Sequence, residues 1–400
     1  MRHWNEAKIK DFAEVKGGKR LPKGKKLIQE SNSHPYIKVR NLGKAKYIQI
    51  NSDYEYVDNE TQKSIARYIV NKGDILISVV GTIGLVGIVG DTLDKANQTE
   101  NCDKIINIKN VLPEYLYYYL ISSFGQNEIR KGTVGAVQPK LPLKNVKDIS
   151  VLYPSIEDQE RIVNILSSID KKIEMNKTIN NNLLEQVLTL YRNDFVDTAN
   201  DEREICRADE YFDISIGKTP PRKEPQWFST NPQDVTWVSI SDMGTCDLYI
   251  SSSSEQLTRE AVERHNVKIV PDNTVLLSFK LTVGRIAITN GEMTTNEAIA
   301  HFKTDKKEIN EYLYCYLKCF NYQTMGSTSS IATAVNSKII KGMPFVVPTN
   351  DELEEFHGFA APMFAKIKAN QIETDNLTAL RDILLPKLMS GELDVSDIGL

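Results

Sequence analysis

No apolar run in this chain of 400 residues approaches the roughly 20 residues that a bilayer-spanning helix needs. The opening MRHWNEAKIKDF has no apolar core of a secretory leader, so the chain is expected to be cytoplasmic. Cysteine is scarce. Cys102, Cys206, Cys246, Cys315 and Cys319 form no C-x-x-C pair, and no histidine lies near Cys315 and Cys319 to complete a zinc set. All five read as reduced, mostly buried thiols. His3, His34, His265, His301 and His357 are scattered without metal-binding spacing and read as surface or core residues.

Enzyme signatures are missing as well. Gly217-Lys218-Thr219 resembles the end of a phosphate-binding loop, but the glycine required five residues earlier is Phe212. Pro271-Asp272 would open a nuclease metal set, yet the aligned Ser278-Phe279-Lys280 lacks the second carboxylate. An amino-methyltransferase grips its flipped base with an Asp/Asn-Pro-Pro-aromatic loop, and the nearest stretch, Asn231-Pro232-Gln233-Asp234, does not qualify. GTIGLVGIVG spaces its glycines unlike a dinucleotide fingerprint and marks a tight strand pair. The chain reads as non-catalytic, with no metal or cofactor of its own.

What the sequence does contain is a helical ladder. Within Ser155–Phe195, Ile162, Leu166, Ile169, Ile173, Leu183, Val187 and Leu190 recur at spacings of four and three, with Asn176 and Asn180 in the same count. That is a coiled-coil seam, and a buried Asn in a seam fixes register at a cost in stability. A second ladder, shifted by 194 residues, places Phe356, Ala360, Met363, Ile367, Asn370, Thr374 and Leu377 at the matching positions. Asn370 falls on Asn176, and Pro348 on Pro154. Each helix spans about 55 Å over roughly 37 residues.

The repetition extends beyond the helices. Pro35–Gly43 answers Thr236–Gly244, Gly73–Val89 answers Asn273–Thr289, and Glu114–Leu120 answers Glu311–Leu317, at offsets of 201, 200 and 197. Matches in one order indicate a tandem duplication. Each copy reads as a Gly-Lys turn (Gly18-Lys19, Gly217-Lys218), an alternating strand, a strand pair bent at Gly84 or Gly284, an aromatic helix, a small polar loop and a last strand. The fold class is α+β. Two heads, 1–154 and 198–348, alternate with two spacer helices, 155–197 and 349–400, the second carrying the C-terminal segment. Asp197–Glu204 is the polar linker. Antiparallel pairing of the helices would keep Asn176 near Asn370 and relate the heads by a pseudo-twofold axis; parallel pairing would set the heads side by side.

The net charge of −4 is unevenly spread. Residues 1–154 carry 24 Lys and Arg against 16 Asp and Glu, whereas 349–400 carry 4 against 10. The first head therefore suits a polyanion and the helices suit a protein. Lys19, Arg20, Lys23, Lys25 and Lys26 cluster in one turn, Lys38 and Arg40 are expected on one strand face, and Lys44 and Lys46 follow. Such cations neutralise phosphates. Gln138 and Lys140, in the loop GTVGAVQPK, are candidates for reading base edges. In the second head Lys38, Arg40 and Arg20 become Ser239, Ser241 and Thr219, and the cations are Lys218, Arg222, Lys223, Lys280, Arg285 and Lys338. One frame with two polar sets implies two different readings. Trp227, Phe228 and Trp237 read as core.

GKTPPRKEPQWF followed by DVTWVSISDM, the helix start from Pro154 to Val163, and the ending LRDILLPKLMSGEL together resemble the specificity (S) subunit of Type I restriction–modification enzymes. The resemblance covers the whole chain. It implies two target recognition domains on helices that pair as an antiparallel coiled coil. Each domain would read half of a bipartite, asymmetric DNA site through the major groove, with half-sites about one helical turn apart. The helices would dock two methyltransferase (M) subunits, which hold S-adenosylmethionine, and motor-nuclease (R) subunits would join for restriction. Departures are the slightly acidic second head and the break in the second seam at Arg381. An accessory recognition subunit of another DNA-modification system, or a two-headed protein scaffold, are the alternative readings.

Overall fold

The computed structural model describes residues 4–197, 203–325 and 335–395. His3, linker residues 198–202 and the small polar loop of the second head (326–334) lie outside the described residues. The chain forms two compact units, Met1–Lys171 with Leu377–Leu400, and Lys172–Asn376. Each holds one head and stretches of both long helices, α1 (Ile156–Tyr191) and α2 (Asn350–Ser390).

In the first unit a five-stranded sheet runs in the order Glu14–Gly17, Cys102–Ile106, Ile75–Ser78, Val86–Val89, Tyr47–Ile48. Its first four strands are antiparallel and the last joins in parallel. Ile75 and Ile77 face one core and Leu76 the other. A sheet covered on both faces needs apolar residues in succession, which is why ILIS does not alternate. The helix Pro113–Ile121, opened by a proline at its first position, lays Tyr115, Leu116 and Tyr118 into the first core. A smaller sheet, Glu55–Tyr56, Pro35–Ile37 and Asn97–Gln98, flanks it. The head's first and last strands, Asn5–Lys8 and Ser150–Tyr153, pair antiparallel and bring its two ends together.

The second unit repeats this order strand for strand: Asp213–Ile216, Ile299–Lys303, Val275–Ser278, Ile286–Thr289, Tyr249–Ile250. Ile75 pairs with Ile88 and Val275 with Ile288, the same register 200 residues on. Ile205–Arg207 closes the head against Pro344–Val346. Trp227 and Trp237 are buried in a core of their own, with Phe228 packed against it.

Within the second unit α1 and α2 run antiparallel: Lys172 meets Glu373, Asn176 meets Asn370 and Asn180 meets Ile367. Within the first, Ile162 and Leu166 share a core with Leu385 and Leu388, and Arg381 lies 3.3 Å from Asp170. The seam is wider than its heptad reading. Leu183, Leu190, Met363 and Leu377 are only half-buried, whereas Leu188, Tyr191, Leu353 and Phe364 are buried. Each helix packs on a head as well as on the other helix, so its apolar stripe spreads beyond two positions in seven.

Two other expectations change. Lys38 and Arg40 are not on a strand, which ends at Ile37; they lie in a short turn closed by Asn41 Oδ1, which accepts from the Lys38 N–H at 2.7 Å. Asp242 closes the matching turn at Ser239 in the second unit. Lys46 is buried, its Nζ donating to Ser167 Oγ at 2.7 Å and to the Tyr118 hydroxyl at 3.3 Å, so it ties head to helix within its unit and faces no solvent. Cys102 and Cys315 are buried and the other three thiols half-buried. Among the described residues no helix is long and apolar enough to cross a membrane, and no three His, Cys, Asp or Glu side chains are grouped to hold a metal.

Candidate nucleic-acid interface

Four segments converge at one end of the five-stranded sheet of the first unit. They are 18–20, 79–84, 99–101 and 133–140. The Gly18 N–H donates to the Cys102 carbonyl, Val79 to Asn101, and Leu141 to Val79 (3.2, 2.8 and 2.9 Å). Val134 and Lys140 exchange two bonds of 2.9 Å, closing the last segment into a hairpin-like loop. Gly18 must be glycine, since a Cβ there would lie 2.0 Å from the Thr99 carbonyl oxygen. The convergence brings Lys19, Arg20, Gln138 and Lys140 to one surface, all of them exposed.

Carboxylates hold several of the basic residues. Arg20 Nε lies 2.8 Å from Glu100, and Lys25 meets Asp58 and Glu60 at 3.4 and 2.5 Å. Lys38 and Arg40 share the Glu55 carboxylate. Lys10 likewise donates to Asp148 at 2.7 Å. Lys23 and Lys26 are exposed in the turn beside Lys25. An exposed pair is worth about 0–1 kcal/mol, so a phosphate can displace the carboxylate cheaply while the pair preorients the cation.

The second unit builds the matching end from three described segments, 217–219, 279–284 and 296–298. Gly217 donates to the Ile299 carbonyl, Lys218 to Thr295 and Phe279 to Ala298 (3.1, 2.9 and 2.9 Å). Thr219, standing where the first head has Arg20, bonds the Glu297 carboxylate. The Arg222 guanidinium stacks over the Phe228 and Trp237 rings, 4.1 and 4.6 Å from their centroids, and reaches Glu255 at 2.9 Å. Lys218 Nζ donates to the His265 carbonyl at 2.6 Å. Lys280 and Lys223 are exposed; Arg285 is half-buried, donating to the Ile240 carbonyl. Lys338 is exposed on the short helix Ser337–Lys341.

Sequence reasoning passed over the apolar members of these clusters. Val137, at the tip beside Gln138, is 95% exposed, and Val80 and Val134 are also exposed. Leu281, beside Lys280, is 100% exposed and holds φ +59°, where the first head has Gly81 at φ +82°. A left-handed backbone costs a non-glycine residue on the order of 1 kcal/mol. The signal was available in the repeat alignment, which sets leucine against glycine at this one turn position.

Beneath the first cluster, Asp103 pairs with Gly17 on the sheet and is 4% exposed, and its Oδ2 has no hydrogen-bond partner. Burial pushes its carboxyl up to about 7, against the pull of Lys147. The register places Ala300 at the same position of the second unit. Asn176 and Asn370, the register candidates, do not bond side chain to side chain. Asn176 Nδ2 donates to the Asn370 carbonyl at 3.4 Å and to Glu373 at 2.8 Å, and Asn370 Nδ2 donates to Asn180 Oδ1 at 2.8 Å.

A family model described as the Type I restriction modification DNA specificity domain matches residues 1–185 and 200–360. The chain is 27% identical over 424 residues to the Type I restriction enzyme MjaIX specificity subunit of Methanocaldococcus jannaschii, over 99% of this chain and 94% of that one. It is 22% identical to the HindI specificity subunit of Haemophilus influenzae, over 90% and 95%. The crystal structure of the Type-I restriction-modification system S subunit from M. genitalium shares the fold, with a TM-score of 0.53 at 16% identity over 97% of this chain and 96% of that one.

Proposed function

The chain belongs to the Type I restriction–modification DNA specificity family, and from that premise we propose that each of its heads reads one half of a bipartite, asymmetric double-stranded DNA target. The observation that carries this reading is that three of the cluster's segments recur at the same end of the same sheet in both heads with different side chains. Arg20, Gln138 and Lys140 serve one head, and Thr219, Arg222 and Lys280 the other. Cations neutralise phosphates and set the register on the duplex, while side chains at the loop tips meet base edges.

The acidic long helices dock two methyltransferase subunits, and motor-nuclease subunits join them for restriction. Methyl transfer belongs to the methyltransferase partner, which holds S-adenosylmethionine; this chain positions DNA and supplies no reacting group. The complex works in the cytoplasm, where its DNA is. Co-expression with the cognate methyltransferase, followed by mapping of modified adenines across a host genome, tests the reading. Modification at a two-part motif with unlike halves is expected, and an uninterrupted motif or none at all would overturn it.

A further inference from the structure

We propose that Leu281 is a specificity-determining residue of the second head, reading the 5-methyl group of one thymine in the major groove by apolar contact. The proposal rests on the DNA-reading function above. The turn joining Val275–Ser278 to Ile286–Thr289 is the same in both heads. Ser78 Oγ donates to the Thr82 carbonyl and accepts from the Leu85 N–H (2.6 and 2.9 Å), and Ser278 does the same with Thr282 and Arg285 (2.6 and 3.1 Å). The first head meets the left-handed position with Gly81, without strain. The second places leucine there, although nothing in the turn requires a side chain and the residue is 100% exposed.

A strained backbone carrying a wholly exposed apolar group marks a residue whose partner lies outside the chain. The surroundings identify that partner's chemistry. Lys280 is the adjacent residue, and Phe279 is pinned to Ala298 at the sheet end that also gathers Lys218 and Thr219. The cations Lys280 and Lys218 suit a duplex backbone. A leucine neither donates nor accepts a hydrogen bond, and the thymine methyl is the one apolar feature on a major-groove base edge.

The test uses the full chain in complex with its methyltransferase and the mapped target. Each thymine of the second head's half-site is replaced by deoxyuridine, which removes the methyl and keeps the base pair. The wild-type complex is expected to lose about 3- to 10-fold in affinity at one position, the worth of one buried methyl group. Leu281→Ala should lose as much on the normal duplex and become indifferent to that replacement, with thermal stability kept. Leu281→Gly should behave alike and melt slightly higher, because the strain is gone. Three results would overturn the proposal: a half-site without thymine, a Leu281→Ala complex that still distinguishes thymine from deoxyuridine, or a loss unrelated to the methyl accompanied by unstacking of an adjacent 2-aminopurine, which would make the side chain a wedge between base steps. A complex that modifies no motif would instead sink the DNA-reading function itself.

Discussion

Asp103 and Lys46 are charged side chains that the fold removes from water in two ways. Lys46 is compensated: it lies 5.1 and 5.2 Å from the Tyr47 and Tyr118 ring centroids and bonds Ser167. Asp103 keeps an oxygen without a partner, and burial pushes its carboxyl from an ordinary value near 4 up to about 7. A carboxyl whose pKa is raised in the folded state binds its proton more readily folded than unfolded. The contribution of Asp103 to stability is therefore greatest below about pH 4, declines up to about pH 7 and is level above. Asp103→Asn should abolish that decline and stabilise the first unit on the order of 3 kcal/mol at pH 8. Urea unfolding from pH 4 to 8 checks this; an unchanged pH slope would refute it. His301 works with the opposite sign in the second unit. Burial lowers its imidazole to about 3, so stability is lost as pH falls below about 6.5, and only the difference between variant and wild type isolates Asp103. Neither environment was legible in the sequence, where Lys46 reads as one more basic residue of the first head and nothing singles out Asp103. The burial of Lys46 arises from packing against Tyr118 and Ser167, residues far away in the chain.

At the scale of elements, the pairing of the long helices was legible because Ile162, Leu166, Ile169 and Ile173 repeat at coiled-coil spacing and all are buried. The polar contacts were not, since an amide can bond a backbone carbonyl, a carboxylate or another amide, and spacing does not choose. The Asn176, Asn180, Asn370 and Glu373 cluster leaves Asn176 Oδ1 without a partner. Buried polar groups in a seam lower stability and select one alignment. The Asn176→Leu/Asn370→Leu chain should therefore unfold at higher denaturant, by roughly 1–3 kcal/mol. Crosslinking between cysteines placed at 172 and 373, where Lys172 meets Glu373 across the helices, should at the same time lose selectivity over neighbouring registers. Retained selectivity would show that the asparagines do not set the alignment. Lys38 and Arg40 illustrate the remaining error at this scale. PYIKVRNLG alternates like a strand throughout, yet Asn41 caps a turn at Lys38 and ends the extended backbone.

For the whole molecule, duplication was the most legible property, because sheet order and register follow the repeat of Ile75 and Val275 strand for strand. Which loop residues face outward was legible only in part: Lys19, Gln138 and Lys140 gather with Arg20, which Glu100 holds, whereas Lys25, Lys38 and Arg40 are held elsewhere by Glu60 and Glu55. The uneven charge makes a quantitative expectation. Binding to duplex DNA should weaken linearly on a log–log plot of affinity against salt, and each phosphate contact removed should reduce the slope by about 0.9. The Arg20→Ala/Lys140→Ala chain should lower the slope by about 2 if both cations touch phosphate. Fluorescence anisotropy between 50 and 200 mM salt measures it, and an unaltered slope would exclude these two side chains from the backbone contact.

Each head begins and ends on neighbouring strands, Asn5–Lys8 against Ser150–Tyr153 and Ile205–Arg207 against Pro344–Val346. A segment whose two termini adjoin can be exchanged as a cassette without stretching the chain that carries it. Recombination with crossovers in the codons of these strands would hand a lineage a new half-target in one event, leaving the helices and whatever binds them untouched.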